Sequence, residues 1–303
     1  MNTSIIKTQA VRVLVVAMLV ASPLALAQQA YPTPEAGAQA LVDALGNTQA
    51  DANKLGAVLG SDWKTYVPAQ GGPKRSDVDA FLAKYRQKHA FNAASADRSM
   101  LTVGDDGWVF PIPLVKKADG WHFDLASGAQ EIRNRAIGRN ELDVMQALRA
   151  YRDAQFDYAN EDRDGDRVLE YAQKLISTDG KHDGLYWADD DSGEISPLGP
   201  LFGDERPKGD FLGYHYRILT GQGPSAPGGA YDYKLGDNMT RGFGLVAWPA
   251  EYGKSGVMTF TISQDGMIFE RDLGKGTDAA ARAMKTFDPD SGWKEMGDGT
   301  ATK

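Results

Sequence analysis

The chain has 303 residues, no cysteine, and 41 acidic against 33 basic side chains, giving a formal net charge of -8 at neutral pH. That balance repels phosphate backbones and anionic lipid, which excludes nucleic acid and membrane surfaces as favoured partners. The lack of cysteine excludes disulfides, thiolate metal sites and a thioether-linked lipid anchor.

Lys7 and Arg12 precede an apolar run over residues 13–20, followed by Pro23 and the small-residue triplet Ala25-Leu26-Ala27. A charged region, a short apolar region and an A-x-A site predict a cleavable signal peptide over residues 1–27. The run is too short to span a bilayer, which takes about 20 apolar residues. The mature chain is therefore expected to start at Gln28 and to be periplasmic or secreted, with no membrane span. Losing Lys7 and Arg12 takes the net charge from -8 to -10. The 303 residues less the first 27 leave 276, a length that usually divides into two domains.

Thr33-Pro34-Glu35 combines a capping hydroxyl, a proline at the first helical position and an acid in the first turn, so a helix starts there, with Ala36, Ala40, Leu41, Ala44 and Leu45 as its stripe. A second helix is expected from Asp51 with Leu55, Val58 and Leu59 inward. After the break at Gly71-Gly72-Pro73, Ser76 is expected to cap a third, whose stripe of Val78, Phe81, Leu82 and Tyr85 ends at a packed His89. Strands are expected over residues 99–103, 108–115 and 121–125, separated by turns at Asp105-Asp106-Gly107 and Asp119-Gly120. Pro111 and Pro113 place the 108–115 strand at an edge. Helices followed by a short antiparallel meander resemble the nuclear-transport-factor-like and cystatin-like α+β folds. Such a resemblance fixes no function.

From Glu131 to about Asn160 the pattern is helical, with Leu142, Met145, Leu148, Tyr151 and Tyr158 near one face. An acidic loop over residues 161–166 ends it. A shorter helix is expected over residues 169–176, then a long loop over 177–210 packed down by Tyr186, Trp187, Leu198, Leu201 and Phe202. Strands follow over residues 214–220, 242–248, 257–263 and 267–271, then a helix from Thr277 to Lys285 and a frayed tail. A long helix before a four-stranded antiparallel sheet resembles the soluble part of type IV pilins and pseudopilins. The helix lacks the apolar amino-terminal half that anchors a pilin subunit. The expected architecture is thus α+β in two domains, residues 28–130 and 131–303.

Several segments together carry a further likeness: T-P-E-A at Thr33, W-V-F-P-I-P-L-V at Trp108, I-G-R-N-E-L at Ile137, D-R-D-G-D-R-V-L-E-Y-A at Asp162, G-L-Y-W at Gly184, S-P-L-G-P-L at Ser196, G-P-S-A-P-G-G-A-Y-D-Y at Gly223 and A-E-Y-G-K-S-G-V-M-T-F at Ala250. They resemble an uncharacterised bacterial secreted family, domain-of-unknown-function family 2950, over the whole mature chain. The resemblance implies no activity, cofactor or site residue.

Two groups of side chains point to chemistry. Asp162, Asp164 and Asp166 alternate around Gly165, with Glu170 beyond, and calcium takes six to eight oxygens from flexible loops of this kind. The fit to an EF-hand is partial, since its twelfth position is Tyr171. The alternative is a solvated turn in which Arg163 and Arg167 offset the acids. In the second group, Tyr214 and Tyr216 flank His215, and Tyr231 and Tyr233 flank Asp232, so each pair shares a strand face. With Trp187 and Trp248 they either line a groove for a glycan or peptide or pack across strands. His89, His122, His182 and His215 have no zinc-site spacing, no G-x-S-x-G elbow is present, and Gly253-Lys254-Ser255-Gly256 lacks the leading glycine of a phosphate loop.

These signals favour a non-enzymatic binding or assembly module acting on an envelope protein or glycan. The competing expectation is a hydrolase using carboxylates of the 181–194 loop, Asp183, Asp189, Asp190, Asp191 and Glu194. It also uses the aromatic groove, and clustering of His182, Asp183 and Tyr214 or Tyr216 in a pocket would favour it.

Overall fold

The computed structural model describes residues 28–66, 73–163, 165–189, 193–202 and 210–297. The expected signal peptide, Gly71-Gly72, Asp164, Asp190, Asp191 and the tail beyond Gly297 lie outside the described residues. The chain is α+β and divides between Gln130 and Glu131 into two compact units.

The first unit opens with α1 (Pro34–Leu45), α2 (Ala52–Leu59), α3 (Trp63–Tyr66) and α4 (Arg75–Gln87). Thr33 Oγ1 accepts the N–H of Ala36 at 3.2 Å, so the expected cap forms, and Asp51 Oδ1 accepts those of Asn53 and Lys54, capping α2. Ser76 does not cap α4. The helix starts at Arg75, two residues before a Ser76 cap would start it, and Asp77 accepts the N–H of Lys74 at 2.8 Å, the carboxylate being the stronger acceptor.

Five strands follow: β1 (His89–Ser95), β2 (Arg98–Val103), β3 (Trp108–Val109), β4 (Leu114–Lys117) and β5 (Gly120–Phe123). The path is β1-β2-β4-β5, all antiparallel, with β3 also on β2. β1 went unforeseen because H-A-F-N-A-A-S has no apolar alternation; its exposed side chains form the outer edge. His89 is consequently an exposed strand residue rather than the end of a helical stripe, although its ring stacks on Tyr85 at 4.0 Å. Pro111 and Pro113 divide the expected 108–115 strand. Only its first half is unpaired on the outer side, because β4 is hydrogen-bonded to both β2 and β5. Leu41, Leu55, Val58, Leu114 and Phe123 form one core, and Ala38, Tyr85, Leu101 and Val103 another.

Helix α5 (Leu125–Tyr158) begins six residues before the expected Glu131. Asp124 explains the shift: its carboxylate accepts the N–H and the hydroxyl of Ser127, so the cap lies at the end of β5.

The second unit is built on Val144, Leu148, Tyr151, Ala154 and Tyr158 of α5, spaced four, three, three and four residues apart on one buried stripe. They pack on a sheet of β6 (Tyr214–Leu219), β11 (Gly244–Pro249), β12 (Met258–Ser263), β13 (Ile268–Asp272) and β15 (Lys294–Met296), in that spatial order and antiparallel throughout. The sheet has five strands, not the four expected; β15, K-E-M, is too short and charged to announce itself. Between these elements lie α6 (Gly199–Phe202), β7 (Gly221–Gln222), β8 (Tyr231–Asp232), the hairpin strands β9 (Lys234–Leu235) and β10 (Asn238–Met239), and near the end α7 (Thr277–Ala283) and β14 (Thr286–Phe287). β7 pairs with β8 and, in parallel, with β14. Every residue of β11 is buried. Leu245 and Ala247 face the α5 core, while Val246 and Trp248 face a second core with Ala281 and Phe287.

The helix expected over residues 169–176 is absent. Gln155, fully buried on α5, donates from Nε2 to Ala172 O and accepts Ala172 N–H at Oε1, both at 2.8 Å. Tyr171 N–H goes to Met239 O, and Leu175 and Lys174 carbonyls accept from Tyr186 and Leu185. The main-chain groups that a helix would pair internally are taken by other segments, so the chain stays extended. No described helix is long and apolar enough to cross a membrane.

Candidate functional site

The D-R-D-G-D-R-V-L-E-Y-A segment leaves α5 and turns twice. Asp162 accepts the N–H of Gly165 at 2.8 Å and of Arg167 at 2.9 Å, and Gly165 and Arg167 both take left-handed backbone angles, φ +81° and +71°. Glycine adopts that conformation freely; Arg167 adopts it against its own Cβ, held by the Asp162 hydrogen bond. Asp166 then accepts the N–H of Val168 and the side-chain amide of Asn238, and Glu170 Oε2 accepts the N–H of Met239 at 2.8 Å. The segment is thereby sewn to the β9–β10 hairpin. Of the residues expected to bind calcium, Asp162, Asp166 and Glu170 thus each accept donors of this chain, and Asp164 lies outside the described residues. Among the described residues no three acidic or histidine side chains are grouped to hold a metal ion.

On one side of the segment Arg163 enters a polar-aromatic cluster. Its side chain is 8 % exposed, and its guanidinium lies 5.2 Å from the ring centres of both Tyr158 and Trp187. It pairs with Glu194 at 3.2 Å and Glu161 at 3.3 Å. The same Glu194 oxygen, Oε2, lies 3.1 Å from His182 Nδ1, and the His182 ring stacks on Trp187 at 4.1 Å. Trp187 Nε1–H donates to Glu194 O and the Tyr158 hydroxyl to His182 O. Arg163 thereby joins the α5 terminus to the G-L-Y-W segment.

On the other side the segment carries Val168 and Leu169 into solvent. Leu169 is 57 % exposed, and Leu235 on the hairpin 69 %. Leu235 is the cross-strand partner of Asn238, the residue that holds Asp166, so both leucines sit on segments that are hydrogen-bonded to each other. Half-exposed Phe156 on α5 lies edge-on to Tyr171 at 6.1 Å with Arg152 over its ring at 5.0 Å. Sequence reading missed this face because period counting assigns apolar residues to the core and does not see a helix that fails to form.

The expected groove aromatics are largely interior. Tyr214, Tyr233 and Trp187 are buried in the α5 core and Trp248 in the opposite core; Tyr216 and Tyr231 pack partly buried against the first. The Tyr214 hydroxyl donates to Met258 O, that of Tyr233 to Gln222, and Trp248 Nε1–H to Asp278. Burial pushes the hydroxyl pKa of Tyr214, Tyr216 and Tyr233 up. Gly256 runs against Tyr214 so closely that a Cβ there would overlap its hydroxyl, which explains the glycine in A-E-Y-G-K-S-G-V.

Of the residues expected for the hydrolase, Asp190 and Asp191 lie outside the described residues, and His182 and Asp183 take different partners. His182 turns to Glu194, while Asp183 turns to Lys174 Nζ at 2.6 Å and to the N–H and hydroxyl of Thr178. Burial by itself would raise the Asp183 pKa, but these donors outweigh it and lower the carboxyl to about 2. A group ionised so far below neutrality has no proton to deliver as a general acid.

A family model described as a protein of unknown function, DUF2950, matches residues 28–296. No curated protein and no solved structure matches the chain.

Proposed function

The chain belongs to this DUF2950 family, and we propose that it serves as a non-enzymatic binding module of the bacterial envelope, docking a protein partner on the face made by Phe156, Val168, Leu169 and Leu235. The carrying observation is the combination of exposure and fixation: Leu169 and Leu235 are both more than half exposed, yet the segments bearing them are joined through Glu170 to Met239 and Asp166 to Asn238. Exposed apolar surface rimmed by polar groups marks interaction sites, and a pinned one binds without an ordering cost.

In this reading residues 1–27 direct export and are removed, and each unit folds on its own core. The four apolar clusters support that division, since each draws all of its residues from one side of Gln130. A chain of residues 131–303 should melt cooperatively; a molten product would refute independent folding.

The test of docking is capture from envelope extract by the mature protein, with mass spectrometry, against Leu169→Asp and Leu235→Asp. Both variants should keep the unmutated melting temperature and lose the partner. Retention by both would overturn the docking face.

One contact favours a second reading, hydrolysis of glycan or peptide: His182 Nδ1 against the half-exposed Glu194 carboxylate. Glu194→Gln removes the carboxylate at that position. Hydrolysis of peptidoglycan fragments that is lost in this variant would replace the binding reading with the enzymatic one.

A further inference from the structure

Gln28, the first described residue, is held by its side chain. Nε2 donates to Val58 O at 3.1 Å and to Phe123 O at 2.8 Å. Val58 lies in the last turn of α2, where carbonyls have no partner within the helix. Gly60 N–H takes the carbonyl of Gly56, Gln29 N–H takes that of Ala57 at 2.8 Å, and the Gln28 amide takes the next. The two glutamines thus complete the carboxyl end of α2. Two residues on, Tyr31 and Trp121 exchange main-chain hydrogen bonds at 2.9 and 2.7 Å, so residues 28–31 form a strap between α2 and β5. Gln28 also lines a cleft of about 550 Å3 with Gly60, Asp62, Lys117 and Asp124.

Glutamine at a free amino terminus has a reaction of its own. The α-nitrogen attacks the side-chain carbonyl carbon Cδ, a new C–N bond closes a five-membered lactam, the Cδ–Nε2 bond breaks, and ammonia leaves with the transferred proton. The product, pyroglutamate, has neither the positive α-ammonium nor the Nε2 donors. Closure must also swing Cδ back onto the α-nitrogen, which draws Nε2 away from both carbonyls.

We propose that Gln28 is the amino-terminal residue of the mature protein and a cyclisation site that the fold protects, ring closure removing the side-chain end of the strap between α2 and β5. The proposal rests on cleavage after Ala27. In the native state closure waits for the strap to open, and two broken hydrogen bonds slow it by about tenfold or more relative to the unfolded chain. Once closed, the ring leaves Val58 O and Phe123 O without their donor, so the cyclised protein is the less stable one.

Intact-mass measurement of the mature protein from the envelope separates the premise from the proposal. A chain beginning at Gln28 at its full mass is expected; a chain beginning elsewhere refutes cleavage at this bond. Freshly isolated folded protein already lighter by one ammonia would refute protection instead. Incubation of the intact protein in buffer and in urea should then show ammonia loss at least about tenfold slower in buffer. The cyclised product, refolded, should melt below the uncyclised protein. Equal rates in the two conditions would overturn protection, and equal melting temperatures would overturn the strap.

Discussion

Glu170 accepts the main-chain N–H of Met239, joining the extended segment after α5 to the β9–β10 hairpin at 2.8 Å. A carboxylate accepting a main-chain donor is a charge-assisted hydrogen bond, and losing it leaves the Met239 N–H unpaired beside the buried Met239 side chain. Glu170→Ala should therefore lower stability by about 1–2 kcal/mol, read as a lower urea midpoint at unchanged slope, with Glu170→Gln losing less. An unshifted midpoint for the alanine variant would mean the hairpin is held otherwise.

Arg163 is a stacked plane as well as a charge. Lysine keeps the charge but offers no flat group to Tyr158 and Trp187 and cannot hold Glu161 and Glu194 together. Arg163→Lys should cost about 1 kcal/mol and change the near-ultraviolet circular dichroism of Trp187. A double-mutant cycle with Glu194→Ala should give a coupling of about 0.5–1 kcal/mol, Glu194 being half exposed. Zero coupling would make the ion pair incidental.

Asp183 sets an acid limit. Its carboxyl is lowered from 3.8 to about 2 in the folded protein, so its contribution is complete above the unfolded pKa and disappears as pH falls from about 4 toward 2. With the side chain 30 % exposed, solvent screening reduces the contribution to about 1 kcal/mol. Asp183→Asn should lower stability at pH 7 and flatten its fall below pH 4. A variant as steep as the unmutated protein in that window would place the acid sensitivity elsewhere.

Local chemistry was legible where one residue decides the outcome. Thr33 caps as read, a helix follows Asp51, and the strand pairs over residues 114–123 and 258–272 form hairpins. Illegible features were those decided by distant partners. The apolar spacing after Asp166 suggests a helix, but Gln155 and Met239 claim its backbone groups from 17 and 68 residues away. Tyr214 and Tyr216 share a face as alternation predicts, yet periodicity does not say that α5 covers it. The exposure of Leu169 goes with that same missing helix, since the segment stays extended.

The acidic loop gives opposite expectations with and without metal. Asp162 already receives two main-chain donors, so saturating calcium against chelator should leave the melting temperature unchanged, while Asp162→Ala lowers it. A rise with calcium that disappears in Asp164→Ala would instead make the loop a cation site, with a gain of ~2.7 kcal/mol at one hundred times the dissociation constant.

Docking on the Phe156–Leu235 face is tested most directly by placing a photo-crosslinking amino acid at position 169, at 235 and, as control, at exposed Lys275 before α7, in the full chain in living cells. Positions 169 and 235 should capture one and the same envelope protein and position 275 none. Capture of that protein at 275 alone, or of nothing at 169 and 235, would contradict the assignment of this face.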